Sequence, residues 1–168
     1  IRGVAEKSGF IPNIFLALAH RPDEFRAFFA YHDALMEKEG GLTKAEREMI
    51  VVATSGLNQC IYCVVSHGAI LRIRQKNPQI SEQLSTNFRN ADITDKQKVM
   101  LKFAIKVAGD SHKINKKDFD GLKEQGFSDE DSWDIGAITA LFALSNRMAN
   151  MAGIQPNNEF YSLGRNET

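Results

Sequence analysis

Apolar residues recur at every third or fourth position along most of the chain, and short polar or glycine-containing stretches separate these runs. This spacing is typical of amphipathic helices, whereas the strict alternation that indicates half-buried strands is almost absent. The pattern predicts helices over approximately residues 13–20, 22–39, 45–55, 59–75, 94–108, 115–125 and 128–152. We therefore predict an all-α fold, a bundle of helices.

Capping signals mark the starts of several predicted helices. In a capping box, a Ser or Thr side chain bonds the backbone three residues on, and the side chain of that later residue bonds back. The sequence has such pairs at Thr43 with Glu46, Thr94 with Gln97 and Ser128 with Asp131. Similar apolar helices follow the segments that begin at Leu42 and Phe127, which suggests an internally duplicated helical unit.

The length of 168 residues suits one domain with enough apolar content to form its own core. We predict a single domain over residues 1–168, composed of N-terminal helices (1–40), a cysteine-bearing core (41–80), C-terminal helices (92–153) and a tail (154–168). Residues 86–91 and the tail after Pro156 are expected to be irregular. Phe160 and Tyr161 of the tail are expected to pack on a neighbouring surface.

Charge and hydropathy argue against two classes of partner. Lys plus Arg and Asp plus Glu both total 21, so the net charge of zero gives little electrostatic attraction for nucleic acid. The apolar runs are shorter than the roughly 20 residues of a membrane-spanning helix. Because a secreted disulfide scaffold would carry more cysteines at longer spacings, and no secretory signal is recognisable, we expect a cytoplasmic protein.

The candidate chemistry lies in the pattern Cys60-x-x-Cys63-x-x-x-His67 at the start of a predicted helix. Helical spacing puts these three side chains on one face. A thiol reacts as its thiolate, which the positive end of a helix, a second thiol and a nearby imidazole all favour. Two such cysteines can also close a disulfide and be reduced again. The pattern therefore predicts two-electron thiol chemistry.

Other interpretations of the same residues remain open. The two cysteines could be buried packing residues. They could also bind zinc together with His67 and a fourth ligand from His32, His112 or a carboxylate, although the chain lacks the second Cys/His pair that structural zinc sites usually have. A thioredoxin-like domain would need strands before Cys60, which the pattern lacks. We expect no bound metal or cofactor.

The run from Leu42 to Glu48, then Asn58-Gln59-Cys60-Ile61-Tyr62-Cys63 and His67, resembles the signature of the alkylhydroperoxidase D-like, or carboxymuconolactone decarboxylase, superfamily, and especially its peroxidase-related branch. The likeness covers nearly the whole chain. It implies an all-α fold, homotrimers or larger rings such as hexamers, and an antioxidant activity. It further implies that hydroperoxides or a peroxiredoxin partner are reduced with electrons from a dithiol donor such as lipoamide.

Matched position by position, the resemblance assigns the family's proton-relay glutamate to Glu48, its redox cysteines to Cys60 and Cys63, and its relay histidine to His67. One position departs from the family pattern. The best-known peroxidase members have a second histidine directly before the second cysteine, where this chain has Tyr62. A phenol cannot act as a base at neutral pH. The resemblance therefore implies a shorter relay, a weaker activity or a different substrate.

Our hypothesis is that His67 helps to deprotonate Cys63, which attacks the peroxide and becomes a sulfenic acid. Cys60 then resolves it as a disulfide, and Glu48 orients or deprotonates Cys60. Position alone gives Cys60 an equal claim as the attacking thiol, because it is nearest the helix N-terminus. Two alternatives are a decarboxylase of carboxymuconolactone-like lactones, which needs no dithiol, and a non-catalytic redox or metal-binding protein.

Two further groups of polar residues carry expectations about exposure. Residues 44–48 form a charged run, and most of its members are expected to face solvent. His20, His32 and His112 have no partner pattern and are expected at the surface or at helix edges. Of these, His32 lies mid-helix and could reach the site from a neighbouring segment.

Overall fold

A computed structural model describes Gly3, Glu6 and residues 9–165 of the chain. In this part of the chain the helices are α1 (Asn13–Leu18), α2 (Pro22–Met36), α3 (Lys44–Leu57), α4 (Ile61–Gln75), α5 (Ile80–Asn87), α6 (Asp95–Asp110), α7 (Lys116–Glu124), α8 (Asp129–Met151) and α9 (Glu159–Ser162). Short 3-10 turns occupy Phe88–Asn90 and Ser111–Lys113. No strand occurs among the described residues, so the all-α prediction is confirmed.

The predicted capping boxes are confirmed. Thr43, Thr94 and Ser128 each accept a hydrogen bond from the backbone three residues on, and the side chain of that residue bonds back. These interactions satisfy backbone N–H groups that have no partner within the helix. Local sequence therefore encodes the starts of three of the five longest described helices. None of the described helices is both long and apolar enough to cross a membrane.

Helix α5 and the turn after it correct the prediction that residues 86–91 are irregular. The N-cap residue Gln79 makes no side-chain cap, so the sequence carries no start signal there. Ile80, Leu84 and Phe88 lie four residues apart and are all buried in the core. Packing of this apolar stripe stabilises a helix that local propensity alone does not indicate. The tail also contains a short helix, α9, in which Phe160 is buried and Tyr161 is 44% exposed.

Helix α3 lies at the centre of the fold and packs against α4, α5, α6 and α8. Every residue from Glu46 to Ser55 is buried, including Glu46, Arg47 and Glu48 of the charged run, whereas Lys44 is exposed. The expectation that most of this run faces solvent was therefore wrong. Glu46 is held in the capping box, and Arg47 donates to the Leu35 carbonyl at 2.6 Å and lies 3.4 Å from Asp134.

The connection between α3 and α4 places the two cysteines. Gln59 adopts a left-handed conformation with φ of 54°, which ends α3. The Cys60 N–H then donates to the Ser55 carbonyl at 3.0 Å. Because this turn is only three residues long, α4 begins beside the end of α3. At the start of α4, Cys60, Tyr62 and Cys63 are buried, whereas Ile61 is 51% exposed.

A close approach between α3 and α5 gives a test of this packing. A methyl group added at Gly56 would lie 2.4 Å from the Ser85 carbonyl oxygen and 2.9 Å from its Cα, and both are backbone atoms. We expect Gly56→Ala to lower the free energy of unfolding by about 1–3 kcal/mol in urea titrations.

Gly121→Ala is the matched control, because nothing lies within 4 Å of its added methyl group. This helical substitution should leave stability unchanged or raise it by up to about 1 kcal/mol. Equal unfolding midpoints for the two variants would contradict the described packing of α3 on α5.

Candidate active site

Both thiols lie at the buried first turn of α4. Cys60 is the N-cap residue, and its Sγ accepts a hydrogen bond from the Cys63 backbone N–H at 3.5 Å. The two residues are 0% and 1% exposed, and both are free thiols. Cys63 Sγ also lies 3.8 Å from the Ser145 hydroxyl of α8. The cysteines are therefore one helical turn apart and shielded from solvent.

The two thiols differ in acidity. The Cys63 thiol donates a hydrogen bond that lowers the pKa of Cys60 to about 7, from an ordinary value of 9.0, and backbone N–H groups add to this effect against the opposing effect of burial. The hydrogen bond to Cys60, together with burial, raises the pKa of Cys63. The pair therefore loses its first proton near neutral pH, and the thiolate charge rests on Cys60.

Asn146 of α8 fixes the polar surroundings of the thiols. Its side chain is fully buried, donates to the Ser55 hydroxyl at 2.9 Å and accepts from the Asn58 amide at 2.9 Å. Hydrogen bonds from Asn146 also lower the pKa of both thiols. A buried amide with several partners holds one orientation. Asn146 therefore ties α8 to the turn from which the cysteines start.

The other two residues assigned by sequence form a pair across helices. His67 Nδ1 of α4 hydrogen-bonds Glu48 Oε2 of α3 at 2.7 Å, and their side chains are 15% and 3% exposed. Arg74 lies 3.3 Å from the second carboxylate oxygen of Glu48. A buried carboxylate is stable only when it is paired in this way. Glu48 thus contacts His67 directly, and no hydrogen bond joins it to Cys60 among the described residues.

A cavity of about 160 Å³ opens beside these groups. Cys63 and His67 line it, whereas Cys60 does not. Most of its wall is apolar and aromatic, and includes Ile14, Phe15, Phe29, Ile70, Phe142 and Phe160. A small molecule that enters the cavity meets Cys63 rather than Cys60. Access from the cavity therefore favours Cys63, whose pKa is raised, as the attacking thiol. The thiolate charge favours Cys60 instead.

Tyr62 lines this cavity and forms a hydrogen bond with the N-terminal part of the chain. Its hydroxyl oxygen accepts the backbone N–H of Ile14 at 3.3 Å. Burial raises the pKa of Tyr62 to about 12. The hydroxyl is therefore protonated at any physiological pH and cannot serve as a base.

The remaining histidines differ in their relation to the site. His20 and His112 are exposed, as expected. His32 of α2 lines the cavity, and its ring centroid lies 6.3 Å from that of His67. Within the part of the chain that the structure describes, no group of three or more His, Cys, Asp or Glu residues is arranged to hold a metal ion.

Sequence reasoning missed Arg74, Ser145 and Asn146. Arg74 lies among other polar residues near the end of α4, and nothing in the sequence indicated that it contacts Glu48. Ser145 and Asn146 interrupt an otherwise apolar stretch of α8, and both are buried. Polar residues on the apolar face of a long helix indicate a buried hydrogen-bond network. That interruption was the available signal.

The acidity of the dithiol gives a direct test. Thiolate absorbance of the reduced protein should titrate with a midpoint near pH 7, because the Cys63 thiol donates to Cys60. In Cys63→Ala that donor is lost, so the midpoint should move up towards the ordinary cysteine range. Ser145→Ala is the control, since it removes a contact of Cys63 alone. Identical midpoints in wild type and Cys63→Ala would refute the described hydrogen bond.

Comparison with known proteins agrees with the resemblance seen in the sequence. Residues 22–108 match the carboxymuconolactone decarboxylase family. No curated protein matches the chain. A crystal structure of an uncharacterised peroxidase-related protein from Ralstonia eutropha JMP134, described as an alkylhydroperoxidase AhpD core, is 63% identical, covers 100% of this chain and 88% of its own, and superposes with a TM-score of 0.98.

Two further solved structures share the fold. An uncharacterised peroxidase-related protein from Silicibacter sp. TM1040 is 40% identical over 96% of this chain and 84% of its own, with a TM-score of 0.93. A debrominase solved with 2,3,4-tribromopyrrole is 21% identical over 96% of this chain and 86% of its own, with a TM-score of 0.80. The chain therefore belongs to the alkylhydroperoxidase D-like, carboxymuconolactone decarboxylase family.

Proposed function

We propose that the protein is an antioxidant thiol peroxidase, which reduces organic hydroperoxides through a dithiol–disulfide cycle of Cys60 and Cys63. One observation carries the proposal. Cys63 and His67 line the same apolar cavity, and behind them stand a second thiol and a buried carboxylate that is 2.7 Å from His67. A cavity of this kind suits a small apolar substrate with one reactive polar group.

The first half of the cycle oxidises Cys63. His67 accepts the proton that the dithiol loses, and Glu48 stabilises the resulting imidazolium through its hydrogen bond. The remaining proton shifts from Cys63 to Cys60 along their hydrogen bond as the hydroperoxide binds. The Cys63 sulfur then attacks the terminal peroxide oxygen and the O–O bond breaks. The products are a Cys63 sulfenic acid and an alkoxide, which takes up a proton to become an alcohol.

The second half restores the dithiol. Cys60 attacks the sulfenic sulfur of Cys63, and water leaves with the Cys60 proton, so a disulfide closes within one helical turn. An external dithiol of the lipoamide type reduces this disulfide and is itself oxidised to a disulfide. A peroxiredoxin is the alternative redox partner, in which case the dithiol acts on the peroxiredoxin rather than on the peroxide.

We also propose that the protein works as a homo-oligomer, a trimer or hexamer, in the cytoplasm. Helix α8 supports assembly, because Trp133, Leu144 and Met151 are 73%, 52% and 83% exposed. Large apolar side chains on one helix that stay in contact with water are typical of surfaces that bind other subunits.

The central test is turnover of tert-butyl or cumene hydroperoxide with reduced lipoamide. Cys60→Ser and Cys63→Ser should each abolish turnover, because the cycle needs both sulfurs. His67→Ala should lower kcat/KM by about 100-fold or more, since it removes the proton acceptor. His112→Ala is the matched control, because that histidine is exposed and lies outside the cavity.

Two results would contradict the proposal. Wild-type protein that turns over no hydroperoxide, even with a peroxiredoxin added, would favour the decarboxylase or the non-catalytic redox protein. Turnover that survives both cysteine substitutions would favour the decarboxylase specifically. Trapping of the sulfenic acid tests the order of the thiols. Label should appear on Cys63 in Cys60→Ser, and label confined to Cys60 in Cys63→Ser would reverse the assignment.

A further inference from the structure

His32 lies in the candidate site but has no role in the cycle described above. It comes from α2, whereas Cys63 and His67 both come from α4, and all three line the same cavity. Its side chain is 21% exposed. The His32 ring lies 6.0 Å from Phe29, 6.2 Å from Phe142 and 6.3 Å from His67, measured between centroids. An imidazole thus stands in an otherwise apolar part of the wall.

The two nitrogens of His32 are in different situations. Nδ1 hydrogen-bonds Asp33 Oδ1 at 3.0 Å, and the Asp33 side chain is 68% exposed. Nε2 has no hydrogen-bond partner among the described residues. The bond to Asp33 fixes the ring and leaves Nε2 as the nitrogen that a ligand can reach. A protonated ring held in this way carries a donor beside the bound peroxide.

Reduction of an alkyl hydroperoxide needs such a donor. Cleavage of the O–O bond by Cys63 releases an alkoxide, which is a strong base and a poor leaving group. The apolar and aromatic side chains that form most of the wall cannot protonate it. Tyr62 is a weaker acid than a protonated imidazole, because burial raises its pKa to about 12.

On the basis of the function proposed above, we propose that His32 is the catalytic acid that protonates the leaving oxygen. As the Cys63 sulfur bonds the terminal peroxide oxygen and the O–O bond breaks, Nε2–H of protonated His32 passes its proton to the departing alkoxide. An alcohol and a neutral imidazole result. The peroxide is reduced, Cys63 is oxidised to the sulfenic acid, and solvent reprotonates His32 through its exposed edge.

We give this task to His32 rather than to His67 because only His67 shares a helix with Cys63. Displacement at oxygen proceeds in line, so the leaving oxygen departs on the side opposite the attacking sulfur. His67 lies on the same helix as Cys63, four residues on, and is therefore beside the sulfur. His32 enters the cavity from another helix. The two histidines thus have separate tasks, one at the attacking thiol and one at the leaving group.

The test compares two oxidants in single turnovers of the reduced protein, stopped by rapid quench and analysed by mass spectrometry. tert-Butyl hydroperoxide releases an alkoxide, which needs a proton, whereas peracetic acid releases acetate, which leaves unaided. His32→Gln should slow the reaction with tert-butyl hydroperoxide by about 100-fold, as expected for loss of a general acid. The rate with peracetic acid should remain close to that of wild type. His20→Gln, an exposed control, should slow neither.

Equal slowing with both oxidants would overturn the proposal, because it would indicate that His32 only maintains the structure around Cys63. An unchanged rate with tert-butyl hydroperoxide would overturn it as well. His32→Ala gives an independent measurement, in which added imidazole should restore part of the lost rate with tert-butyl hydroperoxide but not change that with peracetic acid. Wild-type protein that reacts with neither oxidant would instead contradict the peroxidase function itself.

Discussion

The hydrogen bond that starts α4 is the interaction on which the candidate site depends. Helices usually begin with an oxygen-bearing side chain that accepts a backbone N–H three residues on, and here the Cys60 sulfur takes that place. The same geometry sets Cys63 one turn away. It also places positive helix charge at the sulfur that carries the thiolate. Helix initiation, the spacing of the dithiol and its acidity therefore have a common cause.

Burial of charge is the second constraint, because α3 carries a charged run through the centre of the bundle. Each buried member has a specific partner: Arg47 lies against the Leu35 carbonyl and Asp134, and Glu48 binds His67. An unpaired ion at such a position would cost several kcal/mol. The pairing of Glu48 and His67 therefore makes α3 and α4 depend on each other, and it holds the His67 ring beside the cavity.

The sequence predicts best what is local to one helix. Capping pairs, apolar periodicity and the Cys60-x-x-Cys63 spacing each act within a few residues, so the fold class and the position of the dithiol could be predicted. Helix α5 could not, since it lacks a capping side chain and is stabilised by packing. Contacts between residues of different helices could not be predicted from the sequence either. Spacing places residues on one face but does not say which distant residue, such as Asn146, packs against it. His32 could be named only as a residue able to reach the site.

Tyr62 occupies the position where the best-known peroxidase members of the family have a histidine, and here it has a structural role instead. A histidine at this position would sit on α4 next to Cys63. The phenol instead lies buried, and its hydroxyl holds Ile14 at the cavity wall. On α4 the proposed cycle then has only His67 for proton transfer, so a second proton-transfer group has to come from another helix, and His32 of α2 lines the same cavity. In the proposed cycle an acid is most useful at the leaving oxygen rather than beside the attacking sulfur, so two histidines on different helices would separate the two proton transfers in space.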